Sequence, residues 1–361
     1  MELGIIGLPT SGKTTVFNAL TGAHRPTAVA STGKLELFSM VVDVPDARVD
    51  ALSAIYQPRK TSYAKVTYTD IAGLDKDLGK TGLSGQLRNK ITPMDAFVHV
   101  VRAFESATVP HPLDSVNPQR DVDALDTEFL LADMVTVENR LARVAERLQK
   151  GARADERRVL EKDAALFQEL QQALGDGTPL RNLGLSREQC AHLSGYGLLT
   201  LKPVLVLVNI GDDDVDPATL IDYPHENSAV IALKGRLEME ISQLDPEEAS
   251  LFKEEFGIET LARERVIRAS YDLVNLHTFF TVGKDEVRAW NLTVGGTALD
   301  AAATVHTDLA RGFIRAEVIP FDVLIARGGD MAAARKVGQV QLEGKEYIVQ
   351  DGDIVHIRFS I

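Results

Sequence analysis

Residues 7–14, Gly-Leu-Pro-Thr-Ser-Gly-Lys-Thr, have the types and the spacing of a phosphate-binding loop, G-x-x-x-x-G-K-[ST]. Glycines let the backbone curl until several N–H groups point at phosphate oxygens. Lys13 is placed to reach the β- and γ-phosphates of a nucleotide and to serve catalysis, and the Thr14 hydroxyl is placed to ligate Mg²⁺. The pattern predicts a nucleotide phosphate site formed by Pro9, Thr10, Ser11, Gly12, Lys13, Thr14 and Thr15.

The residues on either side of this loop predict the elements that must hold it. An apolar run at 3–6 is short enough for a buried strand, and residues 15–20 have the pattern of the first turns of a helix. Strand, loop and helix in that order are the context that the pattern requires. The helix N-terminus adds the positive end of its dipole to the phosphate site.

A second candidate segment is the predicted strand at 66–73, which ends in Asp70-Ile-Ala-Gly73. An acid that closes a strand is common and is weak evidence by itself. Beside a phosphate loop, however, the Asp70 carboxylate can hold Mg²⁺ through water. Gly73 can bring its N–H to the γ-phosphate with no side chain in the way. The polar stretch 21–34 and the glycine-rich stretch 74–85 are then the two segments expected to respond to the γ-phosphate.

The remaining elements predict an α/β domain with a helical insertion. Strands at 35–44, 96–101, 204–208 and 230–233 and helices at 47–55 and 238–268 indicate a parallel-rich sheet. Between them, apolar residues recur at heptad spacing at Leu130, Met134, Val137, Leu141, Val144 and Leu148. A turn near 150–151 and a second apolar series from Leu160 predict an antiparallel coiled-coil hairpin.

The tip of this hairpin is basic. Seven basic residues stand against three acidic ones between residues 140 and 158, a net charge of +4. Two interpretations stay open, a solvated helical face or a basic tip that attracts RNA phosphates at short range.

The stretch from 277 onward has the pattern of a separate, β-rich module. Short strands at 279–281, 289–294 and 354–359 and a helix at 298–309 are separated by glycine-containing turns. The module holds nine Lys and Arg residues against eleven Asp and Glu residues, so its charge does not predict RNA binding.

Composition limits the partners of the whole chain. A length of 361 residues allows two or three domains. A net charge of −13 argues against chain-wide attraction to nucleic acid or to anionic membranes, and we expect no DNA and no membrane partner. There is no long apolar run or signal region, and the single cysteine, Cys190, fits a reducing compartment. We therefore expect a cytoplasmic protein.

Together these features resemble the YchF-type, or Obg-like, ATPases among the P-loop GTPases of translation. The resemblance rests on G-L-P-x-x-G-K-[ST]-T-x-F-N-A-L at 7–20, on D-I-A-G-L at 70–74, on the helical insertion, and on the stretches 287–290, 312–319 and 342–353. It implies a P-loop NTPase G domain with a parallel-rich sheet at 1–120 and 200–276. It also implies an α-helical coiled-coil insertion at 121–199 and a C-terminal α+β TGS domain, which is β-grasp-like, at 277–361.

The resemblance also implies an activity. Members are Mg²⁺-dependent nucleotide hydrolases, usually preferring ATP, that associate with ribosomes or ribosomal RNA in translation or stress response. We expect the same of this chain, with Mg²⁺ and ATP bound to a monomer. Ras-like GTPases have a water-positioning Gln directly after D-x-x-G, where this chain has Leu74. The family's substitute is a His in the loop after the third strand of the sheet, and His111 stands at that position.

Two departures from the family keep alternatives open. Lys34 stands where the first switch of the family has Thr, with Thr32 close by. The family's base-recognition sequence is N-x-x-E, whereas this chain has Asn209, Ile210 and Asp212. The Asp is the type that GTPases pair with guanine, while the aliphatic residue replaces the Lys that supports guanine binding. ATP is favoured; a GTPase of the same architecture and a low-turnover RNA or ribosome adaptor are the alternatives.

Overall fold

The computed structural model describes residues 1–27, 36–72, 83–255, 258 and 261–360. The chain divides into two compact units, one formed by Met1–Met40 with Thr67–Val266 and the other by Val41–Val66 with Ile267–Ile361. No helix in these described ranges has the length and apolar character needed to cross a lipid bilayer.

The strands and helices follow in chain order. The strands are β1 (Glu2–Ile6), β2 (Glu36–Asp43), β3 (Lys60–Ser62), β4 (Lys65–Ala72), β5 (Ala96–Ala103), β6 (Val204–Ile210), β7 (Ser228–Leu233), β8 (Leu276–Thr281), β9 (Glu286–Thr293), β10 (Phe313–Pro320), β11 (Gln341–Glu343) and β12 (Asp353–Phe359). The helices are α1 (Lys13–Thr21), α2 (Ala47–Tyr56), α3 (Gly85–Ile91), α4 (Pro118–Gln149), α5 (Ala154–Gly175), α6 (Arg187–Leu193), α7 (Gly235–Ser242), α8 (Pro246–Glu255), α9 (Ala262–Leu273), α10 (Ala298–Val305), α11 (Thr307–Arg311), α12 (Phe321–Ile325) and α13 (Met331–Lys336).

The first sheet has the strand order β2-β4-β1-β5-β6-β7. β1 pairs in parallel with β4 and β5, and β6 pairs in parallel with β5 and β7. Every residue of β6 is buried, as expected for a strand covered on both faces. The predicted α/β class with a parallel-rich sheet is confirmed. The carboxyl ends of β1 and β4 lie at the same edge of this sheet, where ligands bind in open α/β folds.

The predicted hairpin is formed by α4 and α5. Val137 and Phe167 are fully buried in its seam, together with Leu170 and Leu174. The first helix starts at Pro118, well before the heptad pattern, because Asn117 caps it by accepting from the Arg120 N–H and a proline occupies its first turn.

The second sheet has the order β11-β10-β12-β8-β9-β3. The segment with α2 and β3, predicted within the α/β domain, groups with the C-terminal part of the chain. The predicted helix at 298–309 is two helices, because His306 has extended backbone angles (φ −166°, ψ 141°). The stretch 238–268, predicted as one helical region, contains α7, α8 and the start of α9. The predicted domain boundaries at 120, 199 and 276 stay a prediction.

Candidate functional site

The loop at 7–14 joins the end of β1 to the start of α1. Gly7 and Gly12 have φ angles of +148° and +95°. A Cβ atom at Gly7 would lie 2.3 Å from the Val100 carbonyl oxygen, and one at Gly12 would lie 2.2 Å from the Asn209 amide nitrogen. Only glycine fits at both positions. The buried hydroxyl of Ser11 finds no hydrogen-bond partner among the described residues.

Positive charge converges on this loop from two sources. No side chain in the described part of the chain caps the first turn of α1, so its backbone N–H groups and the positive end of the helix dipole face the loop. Lys13 Nζ donates to the carbonyl oxygens of Gly7 at 3.0 Å and of Leu8 at 2.9 Å. The Lys13 side chain thus folds back over its own loop, where it is predicted to bind a phosphate. The arrangement suits a polyanion such as a nucleotide phosphate tail.

Thr14 and Asp70, the predicted metal ligands, lie in contact. Thr14 Oγ1 donates to Asp70 Oδ2 at 2.9 Å. Parallel pairing of Ile5 with Asp70 brings this fully buried carboxylate beside the loop. Hydroxyl and carboxylate oxygens are the ligands that Mg²⁺ prefers, and it uses only one or two carboxylates beside phosphate oxygens and waters. The two side chains therefore fit a Mg²⁺ ion that enters with a nucleotide.

Arg25, which no sequence motif singles out, forms an ion pair with the same carboxylate, that of Asp70. Its NH1 atom lies 2.5 Å from Asp70 Oδ2. Asn18 fixes the backbone of Arg25 with two hydrogen bonds, of 2.8 and 3.1 Å, and the Arg25 guanidinium lies 4.7 Å from the centre of the Phe38 ring. No local pattern in the sequence predicts this contact, because it depends on the path of the chain after α1. The guanidinium competes with a metal ion for Asp70.

His111, the predicted catalytic residue, is held by its own loop and by α4. Its Nε2 lies 2.9 Å from Asp121 Oδ2, and its Nδ1 accepts from the Leu113 N–H at 3.1 Å. Because Nδ1 accepts, Nε2 carries the proton and donates it to Asp121. The His111 side chain is only 4% exposed. Both ring nitrogens are thus engaged, and His111 has to leave Asp121 before Nε2 can contact another group.

Arg102 at the end of β5 connects the His111 loop to the phosphate loop. Its NH2 donates to the Val109 carbonyl at 2.8 Å, its Nε to the Phe104 carbonyl at 3.0 Å, and its NH1 to Thr10 Oγ1 at 3.3 Å. Burial lowers the pKa of the Arg102 guanidinium from its ordinary value. No motif in the sequence points to Arg102, although a charged residue near the end of an otherwise apolar strand is a signal.

The predicted base-binding residues are only partly brought together. Asn209 is buried, and its Nδ2 donates to the Ser11 carbonyl at 2.9 Å while its Oδ1 accepts from the Gly235 N–H at 3.2 Å. Asn209 thus ties the phosphate loop to the start of α7. The Ile210 side chain lies in the hydrophobic core, and Asp212 is exposed in the loop after β6.

Several predictions fall outside the described residues. These are Gly73 as a γ-phosphate contact, Leu74 in place of Gln, and Lys34 with Thr32 in the first switch.

The basic tip of the hairpin is partly neutralised. Four of its seven basic residues are in ion pairs, namely Arg140 with Asp163, Arg147 with Glu156, Lys150 with Glu146, and Arg157 with Glu161. Asp163 and Glu161 lie just beyond the stretch used for the sequence count. The local charge is therefore lower than +4.

Fold and site define the class of protein. A parallel sheet whose first strand leads through a curled glycine loop to a Lys-Thr helix start, with a strand-end Asp on the Thr hydroxyl, is a P-loop nucleotide-binding domain. Residues 2–140 match a family model described as 50S ribosome-binding GTPase. Residues 276–360 match the YchF-GTPase C-terminal model, described as protein of unknown function.

Full-length relatives identify the family. The chain is 39% identical to the ribosome-binding ATPase YchF of Bacillus subtilis over 100% of both chains. It is 39% identical to that of Escherichia coli O157:H7, covering 100% of this chain and 99% of the relative. The YchF GTPase of Schizosaccharomyces pombe superimposes with a TM-score of 0.83 at 27% identity, covering 99% of this chain and 97% of that chain. The chain belongs to the YchF family, which confirms the resemblance.

Proposed function

We propose that this chain is a Mg²⁺-dependent ATPase that associates with ribosomes or ribosomal RNA and acts as a nucleotide switch in translation or stress response. The observation that carries the proposal is the 2.9 Å contact between Thr14 and Asp70 beside Lys13. Bacterial relatives that match along the whole chain are named ribosome-binding ATPases, which supports both the activity and the partner.

The phosphate loop performs the binding step. Backbone N–H groups of the loop and of the first turn of α1 hold the phosphate oxygens. Lys13 exchanges the carbonyl oxygens of Gly7 and Leu8 for the β- and γ-phosphates. Thr14 and Asp70 would hold the metal ion, and a bound Mg²⁺ would neutralise charge on the β- and γ-phosphates.

His111 is the proposed catalytic residue. After it leaves Asp121, its imidazole orients the attacking water, a role that an aliphatic side chain at Leu74 cannot fill. The proximity of His111 to α4 through Asp121 makes hydrolysis sensitive to movement of the helical insertion. Slow turnover without a partner is the expected consequence.

ATP is the favoured nucleotide because Ile210 replaces the lysine of guanine-binding sites and buries its side chain in the core. Asp212, a carboxylate in reach of solvent, favours GTP as the second candidate. Titration of the chain with fluorescent ATP and GTP analogues in the presence of Mg²⁺ tests the choice. We expect tighter binding of the ATP analogue and loss of binding to both on Lys13→Ala. Tenfold tighter binding of the GTP analogue would reverse the choice.

A low-turnover adaptor that holds nucleotide without hydrolysing it is favoured by the engaged state of His111. Phosphate release that falls on His111→Ala excludes this adaptor. Ribosome association is tested separately by co-sedimentation with ribosomes at low salt. Absence from the ribosome fraction in every nucleotide state contradicts that part of the proposal.

We also propose a G domain at 1–120 and 200–276, a helical insertion at 121–199 and a TGS domain at 277–361. The proposed location is cytoplasmic and the proposed state monomeric.

A further inference from the structure

A cavity of about 370 Å³ opens between α3, α4 and the 3-10 turn at Ser194–Tyr196. Arginines dominate its lining, with Arg88 on α3 and Arg140 and Arg143 on α4. Asn89 and Asn139 also line it, and none of its described lining residues is an Asp or a Glu. We call this cavity the arginine pocket. It is distinct from the phosphate loop, with which it shares no residue.

The three guanidinium groups differ in how firmly they are held. Arg140 is 2.6 Å from Asp163 and 5.6 Å from the centre of the Tyr196 ring. Arg88 donates to the hydroxyl of Thr136, and no carboxylate of the described residues is in direct contact with its charge. Arg143 is exposed and makes no ion pair with any residue that the structure describes. The pocket therefore contains an ion-paired arginine (Arg140), an arginine hydrogen-bonded to a hydroxyl (Arg88) and a solvent-exposed arginine without an ion-pair partner among the described residues (Arg143).

The buried carboxylates of Asp163 and Asp133 already have hydrogen-bond partners. Asp163 accepts from Arg140 through Oδ2 and from His192 Nε2 through Oδ1 at 2.7 Å. Asp133 accepts from the N–H groups of Leu199 and Thr200 at 2.8 and 2.7 Å. Both side chains are buried, so the solvent side of the pocket offers N–H donors to a ligand. A convergent set of guanidinium donors without facing acids is suited to a phosphate group, which arginine binds with paired hydrogen bonds.

The surroundings of the pocket favour a long polyanion over a single small anion. Basic residues continue from Arg143 through Arg147 to Lys150 at the C-cap of α4, a rise of about 10 Å at about 1.5 Å per residue, with Arg147 and Lys150 paired to Glu156 and Glu146. The chain as a whole carries a charge of −13, so a polyanion is attracted only where basic groups are concentrated. Exposed Asn89 and Asn139 amides can hydrogen-bond to the ribose hydroxyls that distinguish RNA. We propose that the arginine pocket binds a backbone phosphate of RNA.

This inference rests on the proposed association with ribosomal RNA, and it assigns that association to one site. Its test is binding of a fluorescein-labelled RNA stem-loop to the full chain, followed by fluorescence anisotropy at several salt concentrations. The test variant is Arg143→Gln, which removes an exposed charge that folding does not need. The matched control is Arg158→Gln, because Arg158 is an exposed arginine near the hairpin tip outside the pocket.

We expect Arg143→Gln to weaken RNA binding about tenfold, because it removes a charged hydrogen-bond donor from the phosphate. The slope of log K against log salt should fall by about one phosphate contact. Arg158→Gln should change the affinity less than about twofold, as a screened surface charge does. Far-ultraviolet circular dichroism of each variant checks that the helices are retained.

Three results overturn the inference. Equal losses in the two variants would mean that only total charge matters, and an unchanged affinity of Arg143→Gln would mean that the pocket does not touch RNA. Displacement of the RNA by millimolar inorganic pyrophosphate at constant ionic strength would assign the pocket to a small anion. The proposed function is tested by different measurements, namely ATP hydrolysis and ribosome co-sedimentation by the wild-type chain. A failure of the RNA-binding inference can therefore be distinguished from a failure of the proposed function.

Discussion

Asp70 is the residue where the electrostatics of the site are most finely balanced. Its Oδ2 atom accepts from the Thr14 hydroxyl and from the Arg25 guanidinium. A metal ion that approaches this oxygen meets a positive charge already there. Arg25 should therefore set the Mg²⁺ concentration that nucleotide binding requires.

We predict that Arg25→Gln lowers the Mg²⁺ concentration for half-maximal binding of a fluorescent ATP analogue. The expected change is about fivefold, equal to about 1 kcal/mol for a partly exposed guanidinium. The control is Arg236→Gln, since Arg236 is 84% exposed and pairs with Glu240 on α7. An unchanged or higher Mg²⁺ requirement in Arg25→Gln would show that Arg25 does not compete with the metal.

His111 and Asp121 form the second contact with a direct kinetic consequence. Asp121→Asn keeps the shape of the side chain but weakens the bond from His111 Nε2. We predict that Asp121→Asn raises phosphate release from ATP about fivefold, because loss of a charge-assisted hydrogen bond of about 1 kcal/mol frees the imidazole. A slower Asp121→Asn enzyme would instead mean that Asp121 holds His111 in its working position.

His99 in β5 makes the stability of the chain depend on pH. Burial, with the positive charges of Lys13 and Arg181, lowers the pKa of His99 from 6.5 to about 3. Neither ring nitrogen has a hydrogen-bond partner in the described ranges. The unfolded chain thus binds a proton that the folded chain does not between these pKa values. Stability is full above pH 6.5 and falls by up to about 1.4 kcal/mol per pH unit below it.

His99→Leu should remove this acid dependence. We predict that His99→Leu has a larger free energy of unfolding than the wild type at mildly acidic pH. The difference should grow by about 1.4 kcal/mol for each unit by which the pH is lowered. Guanidinium unfolding followed by circular dichroism measures it. His24→Gln is the control, because His24 is exposed. Parallel pH profiles for wild type and His99→Leu would contradict the prediction.

At the scale of elements, the sequence predicted what repeated spacing or a continuous apolar run encodes. The strands of the first sheet lie close to their predicted positions, and both hairpin helices are present, the first starting twelve residues before its predicted apolar series. β3 and β11 were missed because short strands on a sheet edge carry little periodicity. β10 is an interior strand of eight residues, and it was missed because its buried and exposed residues do not alternate. In the site, Lys13, Thr14, Asp70 and Asn209 follow from motif spacing.

The contacts of Arg25, Arg102 and Asp121 could not be predicted in the same way. Each joins positions far apart in sequence or belongs to an irregular loop, as with Arg25 and Asp70 or Arg102 and Thr10. Local patterns encode periodicity and motif spacing, whereas such pairs are set by the path of the chain between elements. These three residues contact predicted site residues: Arg25 contacts Asp70, Arg102 contacts Thr10, and Asp121 contacts His111.

The hairpin seam allows an element-scale prediction. Phe167 is fully buried and contacts Tyr196 edge-on, with ring centres 4.9 Å apart. Phe167→Ala should lower the free energy of unfolding by about 3–5 kcal/mol through lost burial and a cavity. Val159→Ala on the same helix should change it by less than about 0.5 kcal/mol, since Val159 is 67% exposed. Equal effects in urea unfolding would mean that α4 and α5 do not share a packed seam.

At the scale of the whole molecule, the chain combines a P-loop unit with a second compact unit that takes residues from two parts of the sequence. Relatives align with it from end to end, so the helical insertion and the C-terminal part belong to the common architecture of the family. If the arginine pocket binds RNA as proposed, the acidic remainder of the chain would limit the orientations in which RNA can approach. This organisation suits a protein whose nucleotide site and partner-binding surfaces are separate.

The central claim is that the loop around Lys13 binds and hydrolyses a nucleoside triphosphate. The most direct test is steady-state release of phosphate from ATP by the full chain, compared with Lys13→Ala, at saturating Mg²⁺. We predict Mg²⁺-dependent release by the wild type and a loss of about a hundredfold in Lys13→Ala, as for removal of one preorganised positive or donor group worth about 3 kcal/mol. Equal rates in the two proteins, or no release by the wild type even with ribosomes present, would contradict the claim.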